Sequence, residues 1–267
     1  MTKLYFFIVA ISLNFNLNAQ TTVVLNASAD NTIYQNFPGN SNAIGQNFFS
    51  GNNGSNSPRR GLIKFNIAAV VPVGAVVTAV TLTLNCNISR ATADNVSLYK
   101  LSTNWGEGTS NAAASGDGAG AAATTNDATW PNNFFPASNW TTAGGDYTAT
   151  ASANTSIAGT GFYTWSTAGM VADVQNWLNT PAINFGWIIL CNETTAATAR
   201  RFGSRENATV ANRPTLSVTY STVLPVTLSY FTGIQKNNGV LLNWQTAQEI
   251  NSHYFEILHS ADAITFS

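Results

Sequence analysis

Charge is scarce in this chain. Lys and Arg together number 11 and Asp and Glu 12 in 267 residues, which is 9% and leaves a formal net charge of −1. That count excludes a polybasic nucleic-acid surface. Histidine is scarcer still, since both copies, His253 and His259, fall near the end. The long region before them therefore holds no imidazole base and no Ser-His-Asp triad. The two cysteines, Cys86 and Cys191, make no zinc site by themselves. Long apolar runs are missing as well. The opening run LYFFIVAISL, about ten residues, is too short to cross a hydrocarbon core.

That run instead reads as part of a secretory signal over residues 1–19. Lys3 supplies the positive start, and Leu17-Asn18-Ala19 precedes a cut ahead of Gln20. The expected product is exported and soluble, either secreted or at the cell surface. Its cysteines then meet an oxidising environment. Both lie in apolar strand-like runs, TLTLNCNIS and GWIILCNE. Two readings stay open: two separate buried thiols, or one disulfide closing the long loop between them.

What the chain has is alternation. In VVTAVTLTLNCNIS, Val80, Leu82, Leu84, Cys86 and Ile88 share one face, and Thr81, Thr83, Asn85 and Asn87 the other. Similar runs occur at VVLNAS, LIKFNIA, NVSLYKLS, YTATAS, FYTWS, WIILCNE and TLSVTY. Turn clusters such as GNNGSNSP separate several of them. The fold class expected is all-β, an antiparallel, jelly-roll-like β-sandwich over 20–220. One short amphipathic helix interrupts it in STAGMVADVQNWLNTP, where Met170, Val171, Val174, Trp177 and Leu178 recur at helical spacing. Residues 106–128 have neither period and read as a long Gly/Ala loop, followed by the aromatic-rich WPNNFFPASNW. From 221 to 267 the pattern changes. A hairpin signal at Asn238-Gly239 marks a truncated immunoglobulin- or fibronectin-like segment, since a whole such domain takes about 100 residues.

The order and spacing of RRGLIKFNI, VPVGAVVTAVTLTL, NWGEGTSN, NWTTAGGDY, MVADVQNWL, FGWIIL, RFGSREN and RPTLSVTY resemble the DNRLRE-domain family, across roughly residues 23–220. These are secreted bacterial β-sandwich modules, some grouped as carbohydrate-binding modules of enzymes that degrade alginate and other polysaccharides. The resemblance implies a polysaccharide partner and no catalytic motif. The tail motifs LPVTL, VLLNWQTAQEIN and FEILHSAD resemble the fibronectin-type segment of exported Bacteroidetes proteins. That segment usually precedes a type IX secretion sorting domain, which implies outer-membrane attachment through sequence beyond residue 267.

Glu107 sits between glycines like an exposed acid, and Asp117, Asp127 and Asp146 follow in the same loops. A glycosidase needs two carboxylates at a set separation. Acids beside glycine more often anchor turns, and that role is the one expected here. Asp30, Asn31 and loop carbonyls offer oxygen for a structural calcium, though without EF-hand spacing. Trp105, Trp177 and Trp187 read as core. Trp130 and Trp140, with Phe134 and Phe135, either form a sugar-stacking platform or fold the loop onto the sandwich.

The densest charge is RRFGSRE, residues 200–206. As a strand it sends Phe202, Ser204 and Glu206 to the core side and Arg201 and Arg205 away from it. In RRGLIKFNI, Ile63, Phe65 and Ile67 place Arg59 on the core side and Arg60 and Lys64 outside. Glu206 and Arg59 are thus the expected structural pair. Arg60, Lys64, Arg201 and Arg205 are the expected basic face for an acidic polysaccharide such as a polyuronate. The function expected is a secreted, non-catalytic carbohydrate-binding module without a cofactor. Its rivals are a structural or adhesive module with no glycan ligand, and the accessory module of a polysaccharide-degrading enzyme.

Overall fold

The computed structural model describes residues 20–90, 92–113, 117–222, 227–237 and 239–248. The expected signal over 1–19 and both histidines lie outside the described residues. Thr21–Ser221 forms one compact unit, and the residues from Thr222 onward belong to another.

Five strands come first: β1 (Gln20–Asn26), β2 (Ala29–Tyr34), β3 (Asn40–Ser41), β4 (Asn47–Asn52) and β5 (Pro58–Lys64). The long β6 (Val76–Ile88) and β7 (Asp94–Lys100) follow. The described residues of 101–152 are mostly irregular, with only the short β8 (Ala121–Ala122), β9 (Asn132–Phe134) and β10 (Ser138–Asn139) among them. Regular structure resumes with β11 (Ala153–Ile157), β12 (Gly161–Trp165), α1 (Ala168–Asn179), β13 (Trp187–Leu190), β14 (Arg200–Gly203) and β15 (Thr215–Ser221). YTATAS is not a strand. Apart from the Tyr147 bridge to Leu101, pairing begins only at Ala153.

The strand order is β1-β15-β6-β14-β4-β5-β13-β7-β11, and every pairing from β15 to β11 is antiparallel. β4 joins the two layers, because it pairs with β14 over Asn47–Ser50 and then with β5 at Gly51 and Asn52. Gly51 turns this corner with φ 106°, and a Cβ there would stand 2.8 Å from the Thr198 carbonyl. The expected all-β architecture is the one found.

The inner faces meet in one apolar core. Val80, Leu82, Leu84 and Cys86 enter it as their alternation predicts, while Ile88 at the strand end is exposed. Phe202 stacks on Phe48, with ring centroids 5.4 Å apart, and Trp165 packs edge-on to Phe202. Thr167 caps α1 by accepting from the Met170 N–H, and Pro181 follows the helix. The buried helix face brings Trp177 against Trp187, at 4.6 Å.

A second apolar cluster lies on the other side of the β5–β13 layer. Ile33, Leu62 and Ile188 point outward there, and Leu101, Trp105, Ala128 and Trp140 from the irregular stretch cover them. That layer is buried on both faces. β2 and β4, buried at every position, show no alternation.

Cys86 and Cys191 are free thiols. The disulfide reading is corrected: one cysteine is on β6 and the other follows β13 in the opposite layer. Each sulfur faces a nearby carbonyl, Ile88 O and Thr198 O respectively. Burial raises both thiol pKa values, that of Cys191 to about 11. Alkylation of the native protein should therefore be very slow, whereas the denatured, unreduced protein should take up two labels by mass spectrometry. A denatured chain with no reactive thiol would contradict this arrangement.

In the second unit, β16 (Thr227–Lys236) and β17 (Gly239–Gln248) form the expected hairpin. Phe231, Ile234, Val240 and Leu241 are exposed on it. Among the described residues this sheet has two strands, and a two-stranded sheet with apolar side chains so exposed is marginal in water. Its amides are expected to exchange with solvent much faster than those of β6, and equal protection in a hydrogen-exchange measurement would contradict this.

Candidate functional site

The stretch 200–206 leaves the sheet after Gly203, and Arg205 and Glu206 occupy a turn. Strand parity therefore holds for Arg201 and Phe202 and fails beyond them. Glu206 does not meet Arg59; it pairs with Arg205 at 2.8 Å. Arg59 instead donates to the Gly118 and Ser57 carbonyls and lies over the Tyr34 ring.

The four residues expected to make one basic face are engaged separately. Arg60 grips Glu193 through two nitrogens at 2.7 and 2.8 Å, donates to the Gly144 carbonyl and stacks over Trp130. Burial works against the Arg60 charge, but Glu193 outweighs it and raises the pKa. Gly144, at φ 97°, permits the approach, since a Cβ would come within 2.6 Å of the guanidinium. Lys64 sits over Trp105, with its pKa lowered by burial. Arg201 pairs with Asp117 and donates to Asn87. Arg205 holds both oxygens of Glu107.

Trp140 is no platform. Its ring is buried and its N–H donates to the Thr129 carbonyl. Trp130 is half-buried, packed on the second cluster beneath Arg60. The aromatic stretch thus closes the irregular segment onto the sheet. Asn31 also has a framework role, its Oδ1 accepting from Thr32, Ser41 and Asn42.

Asp127 and Asp146 do anchor turns, accepting from the Thr124 N–H and from those of Thr141 and Thr142. Glu107 does something else. It accepts from the Asp30 N–H and Arg205, and it lies beside Asp30 and Glu206. Burial raises the Glu107 pKa against the pull of Arg205. The Asp30 carboxyl, fully buried, is pushed well up by desolvation, and the Arg205 N–H only partly opposes this. No spacing rule relates 30, 107 and 206, so sequence reasoning missed the cluster.

It also missed Arg200, a guanidinium with no exposed surface. Arg200 donates to the Thr198 and Thr92 carbonyls at 2.7 Å and pairs with Asp94 at 3.2 Å. Its parity with Phe202 was the available signal.

The open surface lies elsewhere. A cleft of ≈ 560 Å³ runs beside Asn95, Ser97, Ser156 and Asn192, with Tyr99 and Glu193 at its margin. A second, of ≈ 490 Å³, is lined by Ser102, Thr103, Thr141 and Thr142, with Tyr147 and Arg60. Tyr99 and Tyr147 touch, with centroids 5.4 Å apart, and Arg60 bonds Glu193. The two clefts thus adjoin at a pair of half-buried tyrosines.

No family model matches this chain, and no curated protein matches it. Among the described residues no helix is long and apolar enough to cross a membrane.

Adjacent arginines should respond differently to truncation. Arg200→Ala leaves Asp94 without its cation and buried carbonyls unbonded, with an expected cost of roughly 3–5 kcal/mol. Arg201→Ala, at a partly exposed side chain, should cost clearly less. Denaturant unfolding of both variants checks the order.

Proposed function

We propose that residues 20–220 form an exported, non-catalytic carbohydrate-binding module of the DNRLRE type, with the paired clefts as its glycan surface. The observation that carries this is the Tyr99–Tyr147 pair between two hydroxyl- and amide-lined depressions. A sugar presents apolar C–H faces and a rim of hydroxyls. Aromatic faces suit the first, and Ser, Thr and Asn side chains suit the second. The residues 1–19 support export, and the tail motifs support a type IX surface protein.

The acidic-polysaccharide branch has less support than a neutral glycan. Arg60, Arg201 and Arg205 each have a carboxylate partner already. The clefts themselves carry Asp94, Glu193 and Asp146, which would repel a polyuronate. Catalysis is disfavoured because Asp30 beside Glu107 is fully buried, and Glu107 and Glu206 are both bonded to the Arg205 guanidinium.

The test is a glycan array on the full chain, followed by calorimetry on any hit. Tyr99→Ala should weaken binding roughly tenfold, about 1.4 kcal/mol, with little change in Tm. Binding should depend weakly on salt, whereas steep salt dependence would point to a polyuronate held by charge. No glycan bound at all would favour the structural or adhesive module. Product release from alginate, pectin or plant glucans, abolished by Glu107→Gln, would overturn the non-catalytic reading.

A further inference from the structure

We propose that Asp30, Glu107 and Glu206 form a divalent-cation site of the calcium class, independent of the glycan clefts. Three segments far apart in sequence deliver them: β2, the loop after Trp105, and the turn after β14. One carboxylate oxygen from each lies within 4.8 Å of the others. Sheet architecture alone does not require three acids to converge, and like charges so close repel one another strongly.

The second observation is the state of Asp30. Its side chain has no exposed surface, its Oδ2 accepts from the Arg205 N–H, and its Oδ1 has no hydrogen-bond partner. Glu206 Oε2 is likewise buried without a partner. A buried carboxylate oxygen normally has a partner, because leaving it bare forfeits its hydration. Two such oxygens in the same cluster, each free to donate a lone pair, are what a hard cation requires.

Glu107 and Glu206 share one guanidinium in direct contact, that of Arg205, while Asp30 accepts from the Arg205 N–H. Lys64 and Arg213 bear on the group at longer range, the Lys64 ammonium being held over the Trp105 ring. One contacting guanidinium serves three converging carboxylates, and a bound divalent ion would offset the repulsion among them. Arg205 then acts as an outer support: it holds Glu206 through Oε1, leaving the unpartnered Oε2 for the ion, and it orients Glu107, whose Oε2 keeps a further lone pair beside its bond to the guanidinium. An all-oxygen set without His or Cys suits calcium and does not suit zinc. Such an ion would fasten the loop after Trp105 to β2 and to the turn after β14.

The full chain, exported and stripped with chelator, is titrated with calcium chloride by calorimetry. It is titrated with terbium in parallel, whose emission Trp105, two residues from Glu107, should sensitise. The expected result is one saturable ion per chain, a higher Tm with calcium, and competition of calcium with terbium. Glu206→Gln, at a partly exposed side chain, should stay folded and bind the ion roughly tenfold more weakly or worse. Asp30→Asn should abolish binding; if that variant fails to fold, Glu206→Gln decides. Absence of saturable binding by the parent at millimolar calcium overturns the proposal. So does a folded Glu206→Gln variant with parental affinity.

Discussion

A sheet layer covered on both faces is the constraint from which the rest of this molecule follows. The inner face of β5 and β13 meets the sandwich core through Ile63, Trp187 and Ile189. Leu62 and Ile188 on the outer face are equally buried and need their own cover. The described residues of 101–152 supply it with only three short strands, so most of their backbone groups must find partners one by one. They do so through turn carboxylates such as Asp146 and through the Trp140 indole N–H, which donates to the Thr129 carbonyl. An outward-pointing side chain on β5 is therefore not a surface side chain. Arg60 and Lys64 point away from the core and still end packed over the rings of Trp130 and Trp105.

Scarcity of charge takes on meaning in that setting. A charge removed from water is tolerated where an opposite charge and hydrogen bonds meet it. Arg60 with Glu193, Arg200 with Asp94, Arg201 with Asp117 and Lys100 with Asp173 are all pairs between segments distant in sequence. Arg60–Glu193 and Arg201–Asp117 tie irregular segments to strands, Lys100–Asp173 ties the helix to β7, and Arg200–Asp94 ties β14 to the start of β7. Their value is less in net stability than in register, because a slipped strand would leave several buried charges without partners. The stretch RRFGSRE is a brace along most of its length.

The sequence was legible where one face is wet. β6 and β15 alternate because their second face meets solvent, and α1 shows its period because only one side is covered. β2 and β4 were invisible because burial on both faces, with Asn31, Thr32 and Ser50 satisfied internally, removes any alternation. Of the site residues, the core-side position of Arg59 and the outward positions of Arg60, Lys64 and Arg201 were readable from parity. Their partners were not. Glu206 missed Arg59 because the chain turns after Gly203, and no local pattern announces where a strand ends in a Gly-Ser step. Trp140 could have been a platform or a plug. Only the outer face of β5 and β13, a tertiary fact, decides for the plug.

These same facts separate the two surfaces on which function can rest. Around Asp30 three carboxylates converge beside a fully buried side chain held on β2, which favours a small ion over an extended ligand. Around Tyr99 and Tyr147 the surface is open, and Ser, Thr and Asn side chains are present in number. The one guanidinium there, Arg60, is already bonded to Glu193. On the proposed reading, a glycan held on that surface would be read through hydroxyls and ring faces rather than through net charge. Its affinity would then depend little on ionic strength, which fits a chain with so little charge.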